Sequence, residues 1–143
     1  MSGEALYERY KDALRRGHVA SLRGRLEEAL TAYAEAAAIA PERATPHTSA
    51  GTALMRRKRP ADAVRHYTTA IRLSPHDEAA LLGRAQALTA MNRRPQAADA
   101  YDAAADALAA SGKLADAVDA ARRGLELAEG RERRRTLEQL IER

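Results

Sequence analysis

The sequence predicts an all-α fold of repeated helical hairpins, and three observations carry that prediction. Alanine dominates a 143-residue chain with no Phe, Trp or Cys, whose 3% aromatic share is entirely tyrosine. Alanine has the highest helix propensity, because its side chain has no rotamer freedom to lose and buries no polar group. Secondly, Tyr33, Tyr67 and Tyr101 recur at equal intervals, at i, i+34 and i+68. Thirdly, small residues flank each tyrosine at helical spacing, and no stretch alternates apolar and polar residues long enough to suggest a sheet.

The period extends beyond the tyrosines. Ala29, Ala63 and Ala97 share it, as do Ala36, Ala70 and Ala104. Gly17 and Gly51 follow it with Ala85 in the third copy, and Pro41 and Pro75 follow it with Ala109. Within each copy the Ala, Tyr and second Ala stand at i, i+4 and i+7, one face of a helix. The Gly or Ala column lies on an earlier helix, where a side chain would collide with its partner. Proline closes the unit because it cannot continue a helix interior.

Local signals place the elements in order. Helices are expected over about 3–23 and 26–40, then 45–57 and 60–73, then 77–91 and 94–110. Thr45 before Pro46 reads as an N-cap with proline in the first turn, and Pro60 and Pro95 start helices in the same way. Gly24, Lys58 and Asn92 occupy matching turns, where Gly and Asn tolerate positive φ. Ser74-Pro75-His76-Asp77 separates the second and third copies. The third copy lacks its closing proline, so its second helix is expected to run on to Ala110. Beyond Ser111-Gly112 the period is lost. An amphipathic stripe of Leu114, Ala117, Val118, Ala121, Leu125 and Ala128 still predicts a closing helix over about 113–128. Gly112, Ala117, Ala121 and Gly124 repeat the spacing of Asn92, Ala97, Tyr101 and Ala104, but well short of a full period. This helix therefore either begins a fourth unit or closes a degenerate one. A last helix over 131–143, with only Leu137, Leu140 and Ile141 apolar, suits the polar-faced end that repeat arrays need for solubility.

These columns resemble the tetratricopeptide repeat, a helix-turn-helix unit of about 34 residues. Its signature has a Gly or Ala in the first helix, then Ala, an aromatic and Ala in the second, then Pro. The copies are about 10–43, 44–77 and 78–110. The resemblance implies a single domain over 1–143: a right-handed helical-hairpin solenoid of three repeats plus C-terminal closing helices. The family's bulky first-helix aromatic is replaced by Ala13, His47 and Leu81. Family members that grip acidic chaperone tails use a clamp of Lys, Asn, Asn, Lys and Arg; the corresponding positions here are Leu14, His18, Ser49, Ala79 and Gly83, so that mechanism is not expected.

Catalytic chemistry finds little support. His18, His47, His66 and His76 are scattered, with no HExxH pair, and no serine sits in a GxSxG turn or phosphate loop. Neither a metal nor a cofactor is expected, and the chain does not read as an enzyme. The absence of cysteine excludes disulfides and suits a reducing compartment. No basic region precedes an apolar stretch at the N-terminus, and no apolar run approaches the ~20 residues that span a bilayer. A cytoplasmic protein without membrane association is therefore expected. The charge of +4 is a mild excess, 24 Lys and Arg against 20 Asp and Glu. Runs such as Arg56-Arg57-Lys58-Arg59 also complement helix C-termini, and no aromatics interleave them for base stacking.

Function is expected on the first helices, which in the family line a concave groove. The groove candidates are Lys11, Arg15, His18 and Ser21 in the first copy. The second copy offers Thr48, Ser49, Thr52 and Met55, and the third Leu82, Gln86 and Thr89. Mostly small and neutral, they suit an extended peptide or a docked helix from a protein partner. Lys11, Arg15 and His18 favour an acidic partner end. The alternatives are a self-association module forming homo-oligomers, and an RNA- or phosphate-binding array acting through its arginine-rich edge, the nucleic-acid reading being the weaker.

Overall fold

The computed structural model describes residues 2–143, and among them there are eight α-helices and no strand. They are α1 (Gly3–Leu22), α2 (Leu26–Ile39), α3 (Thr45–Arg56), α4 (Pro60–Leu73), α5 (Glu78–Ala90), α6 (Arg94–Ala110), α7 (Leu114–Leu127) and α8 (Arg131–Glu142). The chain divides into two compact units, Met1–Pro75 and His76–Arg143. No described helix is long and apolar enough to cross a membrane.

The helix starts follow from local chemistry. Ser2 caps α1 by accepting from the Ala5 amide at 3.1 Å, and Asp77 caps α5 by accepting from the Ala80 amide at 3.1 Å. Pro60 and Pro95 lie in the first turns of α4 and α6, where the missing N–H has no intrahelical acceptor to lose. The start of α3 differs from the sequence reading. Thr45 is already helical, and Ala44 is the cap, its carbonyl accepting from the His47 and Thr48 amides at 3.0 and 3.1 Å.

In the first unit the period becomes packing. Ala29, Ala36, Ala63 and Ala70 are fully buried, and Tyr33 and Tyr67 are 3% exposed. The absence of a side chain on the first helix makes room for each ring. A Cβ at Gly51 would stand 2.8 Å from Cε1 and Cζ of Tyr67, and one at Gly17 would overlap the Tyr33 ring more severely. Around these locks Ala50 and Ala53 of α3 join Ala20, Ala29 and Tyr33, with Leu14, Leu26 and Leu30 at the margin. A second cluster of Tyr10, Ala13, Ala36 and Ala40 holds the N-terminal half of α1 on α2. Alanine-lined contacts permit close approach of the helices.

The second unit repeats this hairpin and then departs from it. Ala97, Tyr101 and Ala104 of α6 are buried like their counterparts, and Ala85 takes the glycine column. With no proline at position 109, α6 runs for 17 residues, against 14 in α2 and α4. An adjoining flank, Ala98 and Ala105, is also buried.

The α6–α7 turn resolves the status of α7. Gly24, Lys58 and Asn92 all have positive φ, at 74°, 59° and 58°, and Gly112 joins them at 82°. Each turn closes with the same pair of bonds, from the positive-φ residue to the carbonyl three back and from the next residue to the carbonyl five back. At Gly112 these are Gly112 N–H to Ala109 O at 3.0 Å and Lys113 N–H to Leu108 O at 2.9 Å. This is the double closure that satisfies orphaned carbonyls at a helix end. Counted from the turn residue, Ala105 and Ala121 occupy the places of Gly17 and Tyr33, and both are buried. α7 therefore closes a degenerate hairpin with α6, which serves two hairpins at once. A Cβ at Gly124 would stand 3.3 Å from the Ala98 carbonyl, a measure of how closely α7 approaches α6. α8 is tied to α6 through Arg133, which donates to Asp99 at 2.5 Å and Asp102 at 2.8 Å and caps the Ala128 carbonyl at 2.9 Å.

Candidate functional site

Alternate turns of α1 and α3 place small polar groups along one side of the first unit. His18, Ser21, Thr48, Ser49 and Thr52 line one cleft of about 360 Å³ together with Leu22 and Tyr33. Five of the sequence-derived candidates thus meet in one place.

The cleft is held by bonds across helices. His18 Nε2 lies 3.1 Å from Ser49 Oγ, joining α1 to α3, and the His18 ring stands edge-on to Tyr33 at 5.5 Å. Thr52 Oγ1 donates to the Thr48 carbonyl at 3.1 Å and lies 3.0 Å from the Tyr67 hydroxyl. With its one proton used on that carbonyl, Thr52 accepts from Tyr67. Arg56 donates at 3.2 Å to both the carbonyl and the hydroxyl of Ser21, bringing a guanidinium to the end of α1. Burial pushes the Tyr33 phenol above its ordinary pKa, against the opposing pull of Ser21, Ser49 and the Arg56 charge. The site offers hydroxyls, one imidazole and an apolar rim at Leu22, which is 78% exposed. Among the described residues no three His, Cys, Asp or Glu side chains gather as a metal would require.

Other candidates lie elsewhere. Lys11 pairs with Glu8 at 3.0 Å and lies over the Tyr7 ring. Arg15 pairs with Asp12 at 2.9 Å and lines a different cleft, between α1 and α2, with Val19, Glu27 and Glu28. Both cations are held by acids of their own helix, one helical turn away, a spacing at which such pairs meet readily. Met55 is half-buried on α3. In the second unit, Leu82 is half-buried on α5 while Gln86 and Thr89 are exposed. Thr89 lines a cleft of about 490 Å³ with Tyr101, Arg94, Arg122 and Arg123. There Arg123 is held by Tyr101 and by Asp119, at 3.2 Å from the latter.

Sequence reasoning left Leu22, Tyr33 and Tyr67 out of the groove and named Arg56 only within the basic run at the end of its helix. In the sequence the tyrosines stand only as markers of the period, yet the hydroxyls of Tyr33 and Tyr67 reach the first helices. That direction could have been inferred from the glycine opposite each ring.

Comparison with known proteins accords with this geometry. Residues 54–107 match the family model described as tetratricopeptide repeat. No curated protein sequence matches the chain. Among solved structures it is similar to the TPR2B domain of yeast Sti1 in a pHsp70 complex, with a TM-score of 0.77 at 21% identity, covering 85% of this chain and 98% of that one. The Arabidopsis OM64 TPR domain gives 0.72 at 21% identity over 85% and 98%. The second TPR of Spaghetti (RPAP3), bound to the HSP90 peptide SRMEEVD, gives 0.65 at 20% identity over 71% and 95%. Residues 54–107 thus match the tetratricopeptide repeat, and the chain has the tetratricopeptide-repeat fold.

Proposed function

We propose that the protein is a non-enzymatic interaction module, an adaptor or assembly element that holds an extended segment of a partner protein against α1 and α3. The observation that carries this reading is the cleft that brings His18, Ser21, Thr48, Ser49 and Thr52 together beside an exposed Leu22. Hydroxyl groups at that spacing satisfy a peptide backbone, while Leu22 and the Tyr33 edge receive one apolar side chain. The peptide complexes of the similar Sti1 and Spaghetti domains support the same use of the fold.

The charge pattern favours a partner unlike a chaperone tail gripped by a cationic clamp. At the clamp positions Leu14 is half-buried, Gly83 is buried and Ala79 is a short exposed methyl, so none of them supplies a cation. An acidic partner end is better matched by Arg56 at the margin of the cleft than by Lys11 and Arg15, whose charges are already met by Glu8 and Asp12.

A displayed peptide library tests the reading. Peptides enriched on the wild type are retitrated by fluorescence anisotropy against Thr52→Glu and Ser49→Leu variants of equal helicity. Loss of at least about tenfold in affinity, ~1.4 kcal/mol, is expected in both. Unchanged affinity in both would remove the cleft as the binding surface. Sedimentation of the same samples over a range of concentrations reads self-association separately.

A further inference from the structure

Two imidazoles in the first unit stand outside the cleft. His47 on α3 and His66 on α4 are stacked, with ring centroids 5.8 Å apart and planes inclined by 30°. Both residues are half-buried between the two helices. Neither place demands histidine for packing. The same column holds Ala13 and Leu81 in the case of His47, and Ala32 and Ala100 in the case of His66.

We propose that the stacked His47–His66 pair makes the α3–α4 hairpin an acid-sensitive clasp, closed while both rings are neutral and forced apart when both are charged. The charged groups acting on the rings are Arg72 beside His47, and Arg65 and Asp62 beside His66, all on α4. Two of the three are cations. Asp62, the one acid, is already bound by Arg59 at 2.8 Å and by Arg65. A second proton on the pair therefore meets a like charge at stacking distance and two guanidinium groups nearby, with little free anion to offset them.

Burial, foremost, lowers the pKa of each ring; Arg72 adds to this at His47, and the His47 charge adds to it at His66. The unfolded chain consequently binds more protons than the folded one once the pH falls below the ordinary imidazole value of about 6.5. Stability is complete above that value and declines as the pH falls toward the lowered folded-state values. With two protons taken up on unfolding, the folding constant drops by up to about a hundredfold per pH unit. Thr48, Ser49 and Thr52 share α3 with His47, so opening the clasp also dismantles the cleft.

The test compares the wild-type chain with a His47→Leu, His66→Ala double variant, which borrows residues already present in the other copies. Denaturant unfolding followed by far-UV circular dichroism is run between about pH 7.5 and 5.5, above the carboxylate range. A steep loss in the wild type that flattens in the variant, with His18 and His76 still present in both, is the expected result. Equal slopes overturn the proposal. Proton NMR of the native wild type supplies a second reading that needs no variant. The His47 and His66 resonances should titrate below those of ordinary imidazoles and in two linked steps, and independent titration of both at the ordinary value also overturns it. Both measurements read folding and protonation alone, so they stand apart from whether the cleft binds peptide.

Discussion

The glycine–tyrosine lock of the second repeat can be tested by a double-mutant cycle, because removing the ring should reverse the effect of Gly51→Ala. Tyr67→Ala removes a ring that is 3% exposed. Its hydroxyl partner Thr52 keeps its bond to the Thr48 carbonyl, and the cost of the aromatic cavity is about 3–5 kcal/mol. Gly51→Ala has two opposed parts. In an open helix it would gain ~1 kcal/mol of propensity. Here the new methyl meets ring carbons at 2.8–2.9 Å, an overpacking that costs about 1–3 kcal/mol. Ala85 opposite Tyr101 in the third copy shows that a ring can yield to such a methyl, which favours the lower part of that range. Gly51→Ala alone should therefore destabilise by up to about 1 kcal/mol. In the Tyr67→Ala background the clash is gone, the propensity gain remains and the methyl fills part of the void, at ~0.8 kcal/mol per buried carbon. The same substitution should then stabilise by about 1–2 kcal/mol, a coupling of about 1–3 kcal/mol. Urea unfolding followed by circular dichroism measures all four corners, and the Tyr67→Ala midpoint should fall by more than about 1 M. Additivity within about 0.5 kcal/mol would refute the lock.

Two further outcomes follow from particular residues. Lys58 holds φ at +59° where the first copy has Gly24, so Lys58→Gly should stabilise by about 0.5–1 kcal/mol in thermal unfolding, the relief of left-handed strain less the entropy of an added glycine. Arg133→Ala should loosen α8 from α6 by about 1–2 kcal/mol, allowing for solvent at the exposed Asp99 carboxylate, and hydrogen exchange should show a loss of protection of about five- to thirtyfold confined to α8.

The fold was legible because its signals are local and periodic. Tyr33, Tyr67 and Tyr101 announce a repeating unit, and the positive φ at Gly24, Lys58 and Asn92 falls where the turn residues were expected. Lys58 gave no compositional warning of its backbone; only its register with Gly24 marked it. The cleft was half legible. Register alone placed His18, Ser21, Thr48, Ser49 and Thr52 together, since in the family those first-helix positions line the groove. Register could not tell that Lys11 and Arg15 would be held by Glu8 and Asp12, because an ion pair one helical turn away depends on rotamers rather than on spacing.

The short offset between the α6 and α7 patterns has a physical reading that the sequence left open. A hairpin repeat needs one buried flank on each helix, and a helix buried on both flanks can belong to two hairpins. Ala97, Tyr101 and Ala104 form one buried flank, in register with the earlier hairpins, while Ala98 and Ala105 form a second beside it, and alanine suits both because it buries no polar atom and fills little space. Reusing α6 removes one helix and one loop from the unit. The step to the next turn residue shortens accordingly, as Asn92 to Gly112 shows against Gly24 to Lys58. The missing proline at position 109 is part of the same change. A stop there would have ended α6 before Leu108 and Ala109 could supply the carbonyls that close the Gly112 turn. Loss of the period after Ser111 is thus the trace of a shared helix, and the small residues at 117, 121 and 124 are what a shared partner demands of α7.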